Sequence, residues 1–463
     1  MLNKLAFRLN FSEIEERLDP IFYYKRSNLD LVNKTSLPVY KLKDVINMQR
    51  GRFGHRPRND PSLYNGKYPF IQTGDVVRAK FGSEISYSQT LNDRGLKTSR
   101  LFSEPVVVLT IAANIGYTAI LNYPACFPDS LIGLTSKNDL LELEYINIYI
   151  SLIRQYVEDL APQAAQKNIN YQQLASIPIV VPAKDLQRKI IDVWNTAQDL
   201  EKIKRQQAKE KLTSIDAYLL DKLGVEHKQK KLNVESRIFT MPFRNLVGKR
   251  FDPIFYNSDL DQFNKGKFTS TKLKTLIKEF SSGQGVGRQD QVSKDEGILQ
   301  IRPTNLGPRG SFLFEKNIFV PDEARHKRLQ KGDVIFNNTN SQELVGKSAY
   351  WDVDLEATYS NHITVLRVDE IKIFPEYLAL ILNLYQKANI FYSICTNWNN
   401  QSGVGIDVLL DLNIPLPPLA LQEEIISHIR QIRNEAKKLE TEANLVLENA
   451  KEEIEKMILG ETE

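Results

Sequence analysis

The chain has 463 residues, 42% of them hydrophobic and 25% charged, with a formal net charge of +4. That is enough for about two to four domains with real cores, and the composition excludes disordered, collagen-like and disulfide-scaffold classes. No run approaches the roughly 18 apolar residues of a membrane span, and Met1 to Phe11 lacks the long apolar stretch of a signal peptide.

Two cysteines, Cys126 and Cys395, stand far from any metal-ligand pattern, so a reduced, cytoplasmic setting is expected. Cys126, between Ala125 and Phe127, reads as a packed thiol rather than a reactive one.

In chain order, Arg17-Leu18-Asp19-Pro20-Ile21-Phe22-Tyr23 comes first, and it returns 233 positions later as Arg250-Phe251-Asp252-Pro253-Ile254-Phe255-Tyr256. Lys41-Leu42-Lys43 returns at Lys272 after 231 positions, and Glu144-Tyr145 at Glu376 after 232. Ile177-Pro178 returns at Ile414 after 237, and Leu186-Gln187 at Leu421 after 235. A period this long exceeds the roughly 20 to 50 residues of solenoid repeats, so each copy is a domain with its connector.

From about 39 to 181 the chain alternates short apolar runs with Gly, Asn and Pro. Val106-Val107-Val108-Leu109, followed by Gly116, reads as strand and turn, and Tyr145 to Leu160 has helical spacing. A helix follows over Lys184 to Leu223, ended by Gly224, with Leu186, Ile190, Val193, Ala197, Leu200, Ile215 and Leu219 on one stripe. Its middle, Lys204 to Lys211, is strongly polar.

The second copy, about 268 to 417, repeats the pattern with Val334-Ile335-Phe336, Gly346 and a helical stretch Tyr377 to Ile394. Its helix carries Leu421, Ile425, Ile429, Ile432, Ala436, Leu439, Ala443, Leu447, Ala450 and Ile454, close to a 3.5-residue repeat. Pro417 and Pro418 precede it and Gly460 sits past its end.

Each helix of about 40 residues spans roughly 60 Å. A lone helix with an exposed apolar stripe is unstable in water, so the two are expected to pair, antiparallel because the chain must enter the second copy at the far end. The expected fold is α+β with a largely antiparallel sheet: two homologous globular domains separated by two long antiparallel coiled-coil helices, pseudo-twofold symmetric. The expected divisions are 1–182, a helix at 183–224, a linker and second domain at 225–418, and a helix at 419–463.

Charge is distributed unevenly. Lys41 to Arg100 holds 12 Lys and Arg against 5 Asp and Glu, a net +7; Lys265 to Lys331 holds 14 against 7, again +7; Leu421 to Glu463 holds 6 against 11, a net −5. A basic excess in the same part of both copies suits two polyanion-facing surfaces.

Arg50, Arg52, His55, Arg56 and Arg58 cluster with Phe53, and the second copy answers with Gln284, Arg288 and Gln289. Arg302, Asn305 and Arg309 follow an apparent strand, Ile298 to Ile301, at a place matching Gln72 to Lys80, which includes Arg78. Arg, Gln and Asn are the side chains that pair with guanine and adenine edges, while Lys97, Arg100, Arg325 and Arg328 read as phosphate clamps. Asn337, Asn338 and Asn340 read as a turn.

Catalytic motifs are missing from the sequence: it has no P-loop, His-Glu-x-x-His, Gly-x-Ser-x-Gly or amino-methyltransferase tetrad. Gly283-Gln284-Gly285-Val286-Gly287 has the wrong spacing for a dinucleotide loop, and the five histidines show no metal spacing. Neither a catalytic site nor a metal site is expected in this chain.

Ile414-Pro415-Leu416-Pro417-Pro418-Leu419 followed by Leu421-Gln422-Glu423-Glu424-Ile425, with the looser first copy from Ile177 and Leu186, resembles the specificity subunit of type I restriction–modification enzymes. Gly332-Asp333-Val334-Ile335, Val345-Gly346-Lys347 and Tyr359-Ser360-Asn361-His362-Ile363 resemble core strands of that family's target-recognition domains; Glu104 to Val107 and Ile115-Gly116-Tyr117 match less well.

The resemblance covers nearly the whole chain. It implies that each domain reads half of a bipartite, asymmetric site on double-stranded DNA in defence against foreign DNA, and that the helices set the gap. It also implies two docked methyltransferase subunits and restriction–translocase subunits, with S-adenosylmethionine, ATP and Mg in those partners and no cofactor here. The helix stripe that would form the spacer and partner surface is Ile190, Val193, Ala197, Leu200, Ile215, Leu219, Ile425, Ile429, Ile432, Leu439, Leu447 and Ile454. A specificity partner of a type IIB-like enzyme and a structural adaptor are the alternatives.

Overall fold

The computed structural model describes residues 29–79, 85–161, 168–226, 240–245, 260–323, 325–399 and 401–461. Both Asp-Pro-Ile-Phe-Tyr segments and Lys80 lie outside the described residues. The chain divides into two compact units: unit 1 runs to Gln206 and resumes at Leu439, and unit 2 runs from Gln207 to Lys438. These limits fall inside the two long helices rather than at their ends, because each helix shares its buried face between two separate cores.

In unit 1, β1 (Ile46–Arg50), β2 (Val106–Thr110), β3 (Thr118–Leu121) and β4 (Leu131–Ser136) form an antiparallel sheet in the order β1-β4-β2-β3. The β-branched run at β2 suits a pleated strand, and its successive side chains point to opposite faces. Val107 and Leu109 enter a core with α1 (Leu143–Leu152), while Val106 and Val108 enter a second core with Phe102 and Phe127, whose rings stack 3.9 Å apart. The helix expected to run to Leu160 is broken at Ile153 (φ −90°, ψ 14°) and resumes over Arg154–Asp159. Cys126 is buried, and burial pushes its thiol pKa up.

Strands Val39–Lys41 and Pro178–Val180 pair beneath α1, where buried Tyr145 and Tyr149 donate to the carbonyls of Val180 (2.9 Å) and Pro178 (3.1 Å). Gln187, on the first turn of α2 (Lys184–Leu223), is fully buried. Its Oε1 accepts from the Glu142 amide (2.9 Å), and its Nε2 donates to the carbonyls of Leu140 (3.0 Å) and Pro182 (2.9 Å).

Unit 2 repeats the plan. β5 (Ile277–Ser282), β6 (Val334–Asn337), β7 (Ser348–Tyr350) and β8 (Ile363–Val368) pair antiparallel in the order β5-β8-β6-β7, the same order as in unit 1. Helix α3 (Pro375–Lys387) covers it, and the expected continuation to Ile394 is interrupted at Asn389, which is left-handed at φ 58°.

Tyr377 and Tyr385 donate to the carbonyls of Pro415 (2.8 Å) and Asn413 (2.6 Å) on the strand paired with Ser270–Lys272. Gln422, on the first turn of α4 (Leu419–Leu459), accepts from the Phe374 amide (2.9 Å) and donates to Lys372 (3.3 Å) and Pro417 (2.9 Å) carbonyls. The landmark Leu-Gln pairs of the sequence are therefore equivalent buried latches between helix and globular part.

The units differ in their outer layers. Unit 2 adds strand Gly297–Ile301, antiparallel to Phe319–Pro321 and parallel to Ala357–Tyr359; unit 1 has short pairs, Tyr64–Pro69 with Thr90–Leu91 and Leu101–Phe102 with Ala125–Cys126.

Helices α2 and α4 pack antiparallel within each unit. In unit 1, Ile190, Trp194 and Ala197 share a core with Ala450, Ile454 and Ile458, and further along Lys204 pairs with Glu442 at 2.7 Å. In unit 2, Ile215 and Leu219 share a core with Ile425, Ile429 and Ile432, flanked by Lys211–Glu435 and Lys222–Glu424, both 2.6 Å. Gly224 (φ 61°) and Gly460 (φ 76°) end the helices in the left-handed geometry a side chain disfavours.

Val193, Leu439 and Leu447 are half-buried, and Leu200, 41% exposed, is not in the seam. At about 100° per residue the buried face passes from Ala197 to Glu201 and Lys204 before reaching Ala208, leaving Leu200 on a flank.

Candidate nucleic-acid interface

In both units the same end of the four-stranded sheet carries the candidate loops. This is the end where β1 or β5 finishes and β4 or β8 begins.

In unit 1 the chain leaving β1 carries Arg50, Arg52, His55, Arg56 and Arg58, all exposed except half-buried His55. Arg50 Nε donates to the Asp129 carbonyl (2.6 Å) and Arg58 pairs with the Asp129 carboxylate (2.7 Å), just before β4. Arg100, half-buried, donates to the Arg50 carbonyl (2.6 Å), and Arg56 folds back on the carbonyls of Phe53 (2.9 Å) and His55 (2.8 Å). Phe53 is a buried pin, its ring 4.9 Å from Phe70, so the arginines stand on a fixed base.

His55 lies 3.0 Å from Asp60. The Ser62 amide and hydroxyl hold the Asp60 carboxyl below the usual carboxylate range, with His55 adding to the effect. Lys97 is exposed on the helix Asp93–Thr98, whose Thr98 carbonyl accepts from the Gly54 amide (2.9 Å). Arg78 is exposed but pairs with buried Asp75; its helix, Thr73–Ala79, touches Ser130, the residue before β4, through Thr73 (3.2 Å).

In unit 2 the loop leaving β5 presents Gln284, Arg288 and Gln289, all exposed. It is anchored by the Gln284 amide on the Tyr359 carbonyl (3.1 Å) and by Gln300 on the Gln284 carbonyl (3.1 Å). Arg302 is half-buried, donates to the Lys316 carbonyl (3.2 Å), and stands next to Ile301, whose carbonyl accepts from Ser360 (3.0 Å) near the start of β8.

Three expectations fail here. Asn305 is fully buried and its amide is spent on the Leu313 carbonyl (2.9 Å) and Asn317 (3.2 Å), so it braces its own loop. Arg309, at φ 55°, lies 3.8 Å from Asp216 of α2, and its carbonyl accepts from Arg433 of α4 (2.7 Å); it ties the loop to the helices. Arg328 pairs with Asp322, and its carbonyl accepts from Arg367 at the far end of β8 (3.4 Å), opposite the candidate loops. Arg325, exposed, is paired with Glu323.

The Asn337–Asn340 stretch is not a turn: Asn337 ends β6 and Asn340 lies in the short strand Thr339–Asn340. That strand joins a hairpin, Thr396–Trp398 with Gln401–Gly403, which the sequence reading missed. Its signal was there, an Asn-Asn dipeptide between an apolar run and a glycine.

Among the described residues no His, Cys, Asp and Glu group is placed to hold a metal ion, and no helix is long and apolar enough to cross a membrane. What the geometry offers is two frames that present polar groups from the same sheet end, guanidinium and imidazole groups in unit 1 and amide and guanidinium groups in unit 2. That chemistry binds phosphates and base edges.

The model of the type I restriction modification DNA specificity domain matches residues 36–240 and 310–449. The chain belongs to that family. It is 34% identical over 122 residues to MjaX, assigned as a type I restriction enzyme specificity subunit in Methanocaldococcus jannaschii, a match covering 26% of this chain. It is 29% identical over 137 residues, 28% of this chain, to the EcoKI specificity subunit of Escherichia coli.

The aligned part spans 28% of the length of each of these curated relatives. A solved structure concerned with complex assembly and conformational transition of the type I R-M system is similar over 91% of this chain and 97% of its own, with a TM-score of 0.54 and 13% identity. At that identity it shows a shared fold.

Proposed function

We propose that this chain is the DNA-specificity subunit of a type I restriction–modification enzyme and performs no bond-making itself. Each unit reads one half of a bipartite site in double-stranded DNA, and α2 and α4 set the gap. Because the exposed groups differ (arginines after β1, glutamines with one arginine after β5), the two half-sites differ. Two methyltransferase subunits dock along the helices and restriction–translocase subunits join them, in the cytoplasm. S-adenosylmethionine, ATP and Mg belong to those partners.

The observation that carries this reading is the sheet order repeated in both units with the candidate loops at the same sheet end. Phosphate contacts from exposed Arg and Lys give affinity that falls with salt, and joining two weak readers makes the second contact intramolecular, so only a matching gap benefits.

The test adds one heptad after Gln207 in α2 and a matching heptad in α4, preserving the seam. Seven residues lengthen a helix by roughly 10 Å, about three base pairs at 3.4 Å. The preferred gap should widen by about that amount; selection of the original gap by the lengthened protein contradicts the ruler.

A further inference from the structure

Of three tryptophans, Trp194 and Trp351 are buried, whereas Trp398 is 46% exposed. An indole is a large apolar group with one polar edge, and leaving it in water forfeits burial energy. Trp398 sits opposite Gln401 at the end of the hairpin Thr396–Trp398/Gln401–Gly403, beside Asn399 at φ 39°.

The hairpin is held firmly. Ser402 donates to Asn397 Oδ1 (2.6 Å), and the indole lies over Gly403, where a Cβ would fall 2.3 Å from ring atom Cη2. Thr339 pairs with Gly403, and Asn338 accepts from the Val404 amide (2.9 Å) while its own side chain donates to Thr364 on β8 (2.9 Å). The hairpin is thus fixed to the sheet end where β6 finishes and β8 begins, the end that carries Gln284, Arg288 and Gln289.

Its chemistry differs from that of its neighbours. Thr396 to Gly405 contains no Lys, Arg, Asp or Glu, yet Thr396, Asn397, Trp398, Asn399 and Gln401 are exposed. An uncharged projection cannot neutralise phosphates, and amides with an apolar ring are groups that read adenine edges and the thymine methyl. A two-stranded ribbon fits the major groove, where Gln pairs with adenine N6 and N7 and an apolar side chain meets the thymine methyl.

Resting on the DNA-recognition reading above, we propose that the Thr396–Gly403 hairpin is the base-reading probe of unit 2. It enters the major groove at an A·T pair, with Gln401 hydrogen-bonding adenine and Trp398 packed on the thymine methyl. Asn397, whose Oδ1 is occupied by Ser402, is a brace, and Arg288 anchors phosphate alongside.

The experiment selects bound duplexes from a randomised pool with the full chain assembled with its methyltransferase subunits, comparing wild type, Trp398→Ala, Gln401→Leu and Gly403→Ala. Wild type should return a bipartite site. Trp398→Ala and Gln401→Leu should each lower discrimination by roughly tenfold to a hundredfold at one or two adjacent base pairs of one half-site. The other half-site, the affinity for random duplex and its salt slope should stay unchanged.

Gly403→Ala, which displaces the indole without removing it, should disturb the same pairs, and thermal melting reports whether each variant is folded. A site unchanged in both Trp398→Ala and Gln401→Leu, or a uniform affinity loss with base preferences intact, overturns the hairpin's role and leaves the DNA-recognition reading standing. A wild type without base preference overturns both.

Discussion

Replacing Gln187 with leucine removes three hydrogen bonds from a fully buried position and strands the Glu142 amide and the Leu140 and Pro182 carbonyls. A net hydrogen bond is worth about 1 kcal/mol, and a buried polar group left without a partner costs about 1–3 kcal/mol. Leucine recovers part of this by burying apolar area of similar size, so the expected loss is about 3 kcal/mol, or roughly a hundredfold in a local opening equilibrium.

Global unfolding of a two-unit chain need not be two-state, so the informative assay is hydrogen exchange on the full protein, read at the Glu142 amide. Its protection should fall by about that factor, while the Phe374 amide, held by Gln422, keeps its own. Gln187→Glu should do worse, because a carboxylate would face the same two carbonyls with no proton to donate. A change at Glu142 of less than about threefold in Gln187→Leu, or an equal loss at Phe374, refutes the latch.

Arg52→Ala should make the dependence of DNA affinity on salt shallower by about 0.9 in log–log slope, the value for one phosphate contact; an unchanged slope removes Arg52 from the interface. Arg309→Ala should destabilise unit 2 by about 1 kcal/mol through loss of the half-buried pair with Asp216, leaving DNA affinity within about twofold. Burial already raises the Asp216 carboxyl pKa against the opposing pull of Arg309 and Lys387, and the variant should raise it further, visible by NMR titration.

Burial raises the phenols of Tyr145, Tyr149, Tyr377 and Tyr385 above the ordinary value of 10.0, so the folded state holds these protons more tightly than the unfolded chain. Their contribution is complete below pH 10 and is lost as the pH rises beyond it. Tyrosinate absorbance from these four should appear together with loss of circular dichroism; ionisation before unfolding would contradict their burial.

The Leu186-Gln187 and Leu421-Gln422 landmarks, the strand run Val106 to Leu109 and the two long helices were legible in the sequence because each is a local pattern. Periodicity, capping residues and repetition report geometry that a few neighbouring residues impose on one another. Tertiary structure decided which polar groups are already occupied. Arg50 and Arg58 meet Asp129 from 79 and 71 residues away, Asn305 disappears into its own loop, and Arg309 turns to Asp216 rather than outward.

Leu200 shows the same limit in a helix: its spacing fits the stripe, but the partner helix set where the seam runs. The exposed Trp398 follows too, since nothing local distinguishes a tryptophan that packs from one held at the end of a hairpin. Burial and partnership are properties of distant residues brought together, and only the folded chain brings them together.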